Sequence, residues 1–370
     1  MRERYRFELA NPADDEQLRA RMAEDRMEGN IAVSFRREPS YFAACSVQGE
    51  HTNIIKCVDS LDGDRIVGMG SRSTSTMYVD GQPVRIGYLA DLRAAPAHRR
   101  GTLLARGYRF LRQLHQLDPV PFYASVIYEG NSPAFQSLMG ARAGLPHYQD
   151  AGRLLTPALH LDLPRRQIEL PGVDIVRGHD EWLPEIVAFL NLQQSRKQFA
   201  PVYRTSDFGK GRFLHLYAKD FFLAIARGKI VGTLAAWNQT RFRQTHVERY
   251  SIALRALRPI YNFAARLSPL KPLPQTGAPI PYIVLACLAV QDNDATLFRA
   301  LFRAAYNELR RGSWHYAIVG LHERDPLARV LSEYRRIEAA GRLFTVHYPE
   351  GNRLARSLGS RIPYLEAGCL

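Results

Sequence analysis

Cysteine is scarce in this 370-residue chain: Cys45, Cys57, Cys287 and Cys369 lie far apart and form no CxxC pair. That excludes a disulfide framework and a cysteine-built zinc site, and it predicts free thiols, mostly buried. Long apolar runs are missing as well, since stretches such as Tyr282 to Val290 fall well short of the ~20 residues that span a bilayer. Met1 to Met27 is studded with Arg, Glu and Asp and has no apolar stretch of the signal-peptide kind, so a cytoplasmic protein is expected. Acidic residues are in deficit, 36 Asp and Glu against 50 Lys and Arg, leaving a net charge of +14. The surplus favours anionic partners such as CoA, nucleic acid, acidic lipid or acidic protein, and charge alone does not choose among them. Most of the basic residues are arginines scattered between apolar positions, a pattern of solvated helix faces more than of a nucleic-acid footprint.

With 46% hydrophobic and 23% charged residues, the composition is that of a packed globular protein throughout. Its length exceeds what one core usually supports, so two domains are expected. The first half reads as a helix from Pro12 to Glu24 with Asn11 as N-cap, then strands at 53–59, 65–79 and 84–95 joined through Asp62-Gly63-Asp64 and Asp80-Gly81. A helix over 100–115, a buried strand at 121–128, a short helix at 132–139 and a strand at 153–161 complete it. Strand, helix, strand after a meander implies a mixed sheet with a right-handed parallel crossover.

The second half repeats the order, with helices at 181–196, 295–311 and 327–334 and strands at 221–227, 229–239, 282–290, 314–321 and 342–348. The offsets support a repeat: Ile66-Val67-Gly68 matches Ile230-Val231-Gly232 at 164, Leu92 matches Leu288 at 196, and Asn131 matches Asp325 at 194. One insertion of roughly thirty residues explains the jump. It lies at about 241–281, where seven basic residues face the single acid Glu248. Within it Leu254, Leu257, Ile260, Tyr261, Ala264 and Leu267 make an apolar stripe. Packing of that stripe against its own domain is the simpler expectation, and a membrane surface is the alternative. Pro164 to Pro171 is the natural linker, dividing the chain into 1–165 and 166–370.

The stretch from Asp91 to Leu104, Asp-Leu-Arg-Ala-Ala-Pro-Ala-His-Arg-Arg-Gly-Thr-Leu-Leu, carries the chemistry. A buried strand there ends in a basic, glycine-containing turn that opens a helix, and free N–H groups with the positive end of a helix dipole suit a phosphate. This stretch resembles the acyl-CoA-binding motif of the GNAT superfamily of N-acetyltransferases, and the order of elements resembles that fold in both halves. The resemblance implies an α/β fold of two tandem domains, each a mixed, mostly antiparallel sheet flanked by helices. It implies acetyl-CoA, or another acyl-CoA, as co-substrate and no metal. Pyrophosphate would meet Arg99, Arg100, Gly101 and Thr102, and the pantetheine arm would meet the exposed main chain of Leu92, Arg93 and Ala94 in a gap between strands. Asn131 matches an asparagine that contacts the cofactor, and it is equally placed to cap the helix beginning at Ser132. The motif departs from the family at His98, in its Arg/Gln position, and at Leu103, in its Gly/Ala position.

Amine acylation needs a deprotonated acceptor and a protonated leaving thiolate. By resemblance Asp91 is the candidate base, and its alternative is an edge carboxylate paired with an arginine. The family's usual tyrosine falls on Leu138, so Tyr128 and Tyr148 are substitutes for the acid by proximity. In the second half the corresponding turn, Gln291 to Thr296, has no glycine and two aspartates where phosphates would dock, which predicts a helix cap on a non-catalytic domain. The first expectation is therefore an N-acetyltransferase acting on an amine of a small molecule or peptide. The alternatives are an aminoacyl transferase of the Fem type that uses tRNA, a long-chain acyltransferase, and a non-catalytic binding module.

Overall fold

In the computed structural model, which describes residues 4–99, 102–139, 144–349 and 352–370, the chain forms two large mixed sheets flanked by helices, with a two-stranded and a three-stranded sheet beside them. The first half runs β1 (Tyr5–Leu9), α1 (Asp15–Glu24), β2 (Arg26–Met27), β3 (Ile31–Arg36), α2 (Tyr41–Cys45), β4 (His51–Asp59), β5 (Arg65–Val79) and β6 (Gln82–Ala94). It continues with α3 (Leu103–Leu117), β7 (Tyr123–Tyr128), α4 (Ser132–Leu138), β8 (His147–Leu155) and β9 (Ala158–His160). The second half runs β10 (Val173–Arg177), α5 (Leu183–Gln194), β11 (Phe208–Gly209), β12 (Phe213–Leu214), β13 (Phe221–Ala226), β14 (Lys229–Trp237), β15 (Gln244–Tyr250) and α6 (Ile252–Arg266). After these come β16 (Tyr282–Val290), α7 (Ala295–Leu309), β17 (Tyr316–Val319), β18 (Leu321–His322), α8 (Ala328–Leu331), β19 (Arg336–Ile337) and β20 (Ala340–His347).

Local chemistry accounts for much of this. Asp80 and Gly81 both take positive φ, 49° and 86°, and join Val79 to its partner Gln82 in the two-residue turn that matches strand twist. Asn11 and Asp14 cap each other reciprocally at the entry to α1. In α7 the residues Phe298, Leu301, Phe302, Ala305 and Tyr306 recur at helical spacing and are all buried in the core of the second sheet.

The first sheet has the order β1-β4-β5-β6-β7-β20-β8-β18, the second β10-β13-β14-β16-β17-β9-β19. Read across, β1, β4, β5, β6 and β7 match β10, β13, β14, β16 and β17, with a parallel pair at β6–β7 and another at β16–β17. The sixth position of each sheet is filled from the other half. Strand β20, expected to complete the second half, instead lies between β7 and β8 of the first sheet. The strand expected over 153–161 is two, β8 in the first sheet and β9 in the second, broken around Pro157, which has no N–H to give a ladder. The insertion also crosses over, because β15 pairs with β3 of the first half. All four cysteines are free and buried. No helix among the described residues is long and apolar enough to cross a membrane.

A buried arginine stitches the first sheet to the end of α3. Arg72, 2% exposed, donates to the Tyr123 hydroxyl, to Asn53 and to Asp118, while Arg85 also binds Asp118. The Arg85 hydrogen bonds and then Arg72 pull the Asp118 carboxyl down to about 2 against the cost of its desolvation. A lowered carboxylate pKa adds stability above the unfolded value and loses it as pH falls. Asp118→Asn is therefore expected to cost about 1 kcal/mol at neutral pH, because Asp118 is itself half exposed. Melting curves should show the gap to wild type closing between pH 4 and about 2; a gap that stays constant with pH would disprove the ionic origin.

Candidate active site

Strand β6 leaves its neighbours in two places. Against β5 the register passes from Ser71↔Ala90 to Met69↔Arg93, so that Gly70 alone faces Asp91 and Leu92 in a β-bulge. Asp91 takes φ 54°, rare for a residue with a side chain. Against β7 the parallel pairing covers Gly87, Tyr88 and Leu89 only, so beyond Leu89 the strands diverge. The result is an open slot between residues 90–94 and 126–128. Leu92 is 54% exposed and Tyr128 45% exposed along it. At its base, beside Gly87, Tyr88 and Ala124, a cavity of about 20 Å³ reaches Gln48 and Arg212.

Asp91 sits in a cluster that local sequence does not announce. Its Oδ2 accepts from the Tyr41 hydroxyl at 3.0 Å and the Gln48 amide at 3.2 Å, with Cys45 Sγ at 3.9 Å. Enclosure alone would raise its pKa, but Arg37, Arg93 and Arg243 around it hold the carboxyl below its ordinary value, so it is ionised. Burial and the Asp91 charge push the Cys45 thiol up to about 12, which leaves it a neutral thiol. Arg243 is buried and donates to main-chain oxygens of Ala44, Gly368 and Leu370, tying α2 and the last residues together around the carboxylate. Arg37, Tyr41, Gln48 and Arg243 are the contributors that sequence reading missed. The pairing of β15 with β3 and the return of the last residues bring them in, and no spacing signals either.

The remaining candidates are placed as follows. Arg93 and Arg99 both reach Asp25, at 3.2 and 2.9 Å, and Arg99 Nε also donates to the Ala94 carbonyl. Arg100 and Gly101 lie outside the described residues. Thr102 precedes α3 without making a side-chain cap, and His98 accepts or donates a hydrogen bond with the Tyr5 hydroxyl. Asn131 caps α4 through Ala134 N–H. The Tyr148 hydroxyl pairs with that of Tyr108 beneath α3, and burial raises its pKa. Strand β8 stands three strand spacings from β6, roughly 14 Å, so Tyr148 is not brought to Asp91. Among the described residues no cluster of acids, histidines and cysteines could hold a metal ion.

The second half repeats the geometry and closes it. Leu234 faces Cys287 and Leu288 in the matching bulge, and Cys287, at the offset 287 − 91 = 196, takes φ 50°. Here the main chain is already bonded: Cys287 N–H to Glu366, Leu288 N–H to the Tyr364 hydroxyl and the Leu288 carbonyl to Gln194. Leu288 is 3% exposed against 54% for Leu92. The turn is closed by its own side chains, with Asp294 capping α7 as expected, Asn293 bonded to Asp325, and Lys197 paired with Asp325. A cavity of about 210 Å³ remains beside Gln194, Lys197 and Leu288 and is larger than that at the first slot. It falls below the ~300–1,000 Å³ of ordinary ligand pockets. The open cleft beside the exposed Leu92 is the better guide here than enclosed volume.

No family model matches the chain, and no curated protein matches it by sequence. Solved structures do match. A GCN5-related N-acetyltransferase from Anabaena variabilis aligns with a TM-score of 0.52 at 12% identity, over 92% of this chain and 72% of that one. The GCN5-related glucosamine N-acetyltransferase region of a fungal multi-domain GH3 β-N-acetylglucosaminidase gives 0.60 at 12% identity, over 92% of this chain and 38% of that one. This chain has the GNAT fold. N-myristoyltransferase of Saccharomyces cerevisiae, solved with myristoyl-CoA, is similar over nearly the whole length: TM-score 0.58, 11% identity, 99% of this chain and 86% of that one. Two GNAT units in tandem account for both sheets, and the bulge with its diverging strand is present in each GNAT unit of this chain.

Proposed function

We propose that the chain is an acyl-CoA-dependent N-acyltransferase, with residues 1–165 holding the acyl-CoA and residues 166–370 closing the acceptor side. The observation that carries this is the asymmetry between two copies of one slot: Leu92 is exposed along an open cleft, whereas Leu288 is buried with its main chain bonded internally. The phosphates would meet the N-terminal end of α3, since a helix start offers N–H groups to an anion, with Arg99 and Arg100 of the preceding turn as the cations. The thioester supplies an activated acyl group. We infer acetyl-CoA as the donor and an amine of a small molecule or peptide as the acceptor.

In the transfer the acyl carbon exchanges its bond to sulfur for one to the amine nitrogen, the amine gives up a proton, and the thiolate takes one up. Asp91, ionised at neutral pH, receives the amine proton directly or through water in this reading. Tyr41 and Gln48 orient its Oδ2 and leave Oδ1 for the proton. Tyr128, exposed at the slot, is the proposed donor to the thiolate; the hydroxyl of Tyr148 is committed to Tyr108.

Calorimetric titration with CoA tests the assignment. One site is expected, weakened by Arg99→Ala with Arg100→Ala and more so at low salt, since exposed charge attraction is screened. Asn293→Ala, in the second turn, should leave affinity unchanged. Two sites, or loss of binding with Asn293→Ala alone, would move the ligand to the other half. Repeating the titration with acetyl-CoA and a long-chain acyl-CoA sets the chain length.

A further inference from the structure

Helix α6 does not do what its sequence suggests. Its underside is modest: Ala265 is buried, Leu254 and Tyr261 are half covered, Arg258 and Asn262 clamp the Leu273 carbonyl, and Asn262 accepts from Leu273 N–H. The large apolar residues point the other way. Ile252 is 83% exposed, Leu257 56%, Ile260 69%, Phe263 65% and Leu267 78%. At 100° per residue Ile252, Ile260, Phe263 and Leu267 fall within roughly 80° of one another, and Leu257 widens the same face. The packing expected for this stripe is therefore absent for most of it, and a soluble surface rarely carries so contiguous an apolar patch without use.

Charge decides what covers it. Arg255 and Arg266 stand exposed beside the apolar face, and residues 251–281 contain no Asp or Glu. We propose that α6 lies in the surface of a bilayer containing anionic phospholipid, its apolar face among the acyl chains and its arginines at the headgroups. An amphipathic helix with a broad apolar face and a cationic border binds in this way. A second copy of the chain is a poorer occupant, because meeting face to face would bring together the arginines of two helices with no acid in 251–281 to pair them. The placement bears on catalysis. Arg243, in the Asp91 cluster, leads directly into β15, whose seven residues span roughly 23 Å before α6 begins. Docking through α6 would hold the open slot near the bilayer surface and present it to substrates there.

The test uses the full chain and vesicle flotation, and it does not depend on acyl transfer. Partition onto phosphatidylcholine vesicles containing phosphatidylglycerol is expected, weak on phosphatidylcholine alone and falling as salt rises. Ile260→Asp with Phe263→Asp should lower partition at least about 100-fold, since both apolar side chains then stay in water. Arg255→Gln with Arg266→Gln should lower it about 10- to 30-fold on the mixed vesicles. Both pairs are exposed, so thermal melts and CoA affinity should match wild type. Absence of partition, or equal partition by the Asp pair, overturns the proposal. So does a dimer that Phe263→Asp dissociates without any vesicle binding, which would give the face to a second copy.

Discussion

Asp91→Asn is expected to lower turnover with an identified acceptor by ~10²–10⁴-fold, the usual contribution of a general base, while CoA affinity scarcely changes. The surroundings sharpen the expectation. Arg37, Arg93 and Arg243 keep Asp91 below its ordinary pKa, so no limb of the pH–rate profile between pH 5 and 8 belongs to it. Any rise with pH reports the acceptor amine, and the variant should recover in part as pH approaches that amine's pKa. The same arginines make the change costly to the fold. Removing the anion leaves Arg37 and Arg243, both buried, without it, a loss on the order of 2–3 kcal/mol, below the ~3–5 of a fully enclosed pair because Asp91 keeps some exposed surface. Rates are therefore to be measured well below the variant's melting temperature. Wild-type turnover in a folded Asp91→Asn protein would make the residue a structural anchor of the cluster. Glu129 would be a weak replacement, because Arg153 holds both of its oxygens.

The largest loss of stability is expected from Glu366→Ala. Glu366 is 3% exposed, and its Oε2 accepts from Cys287 N–H at 2.9 Å, Tyr364 at 3.0 Å and Tyr203 at 3.3 Å. Alanine leaves three buried donors unsatisfied at about 1–3 kcal/mol each, so a combined loss of roughly 4 kcal/mol is expected after allowance for their coupling. Glu366→Gln keeps an acceptor oxygen and should cost about 1 kcal/mol. The two also differ in pH dependence. Burial raises the Glu366 pKa despite the three donors. A carboxyl raised in the folded state binds more protons folded than unfolded, so wild-type stability falls as pH rises from ~4.3 through the folded pKa. The glutamine variant lacks that fall and should gain on wild type across the same window. Denaturant melts of all three proteins decide it, and equal midpoints for alanine and wild type would remove Glu366 from the closure of the second slot.

Alternation and turn chemistry were enough to find the meander, since Asp80-Gly81 takes the turn its residues favour, and helical spacing was enough to find α3 and α7. The repeat was legible because matched residues kept their offsets, and the pair at 196 falls on the two bulges themselves. The second turn was legible for a local reason, as an aspartate one residue before a helix caps it. The short strands β1, β2 and β3 were not legible: β1 and β3 are held by pairing with distant segments, β2 rests on β3 alone, and all three carry little pattern of their own.

The sequence by itself thus determined the elements, their order and their repetition, because turns, caps and periodicity are properties of neighbouring residues. Only the tertiary structure decided that β9 and β20 change places between sheets, that Tyr41, Gln48 and Arg243 surround Asp91, and that Tyr364 and Glu366 close the second slot. It also decided that α6 turns its apolar face outward. The physical reason is common to all four. A strand edge accepts any segment with free N–H and C=O groups, and a buried charge accepts any partner that reaches it, so the choice among partners rests on how the whole chain packs.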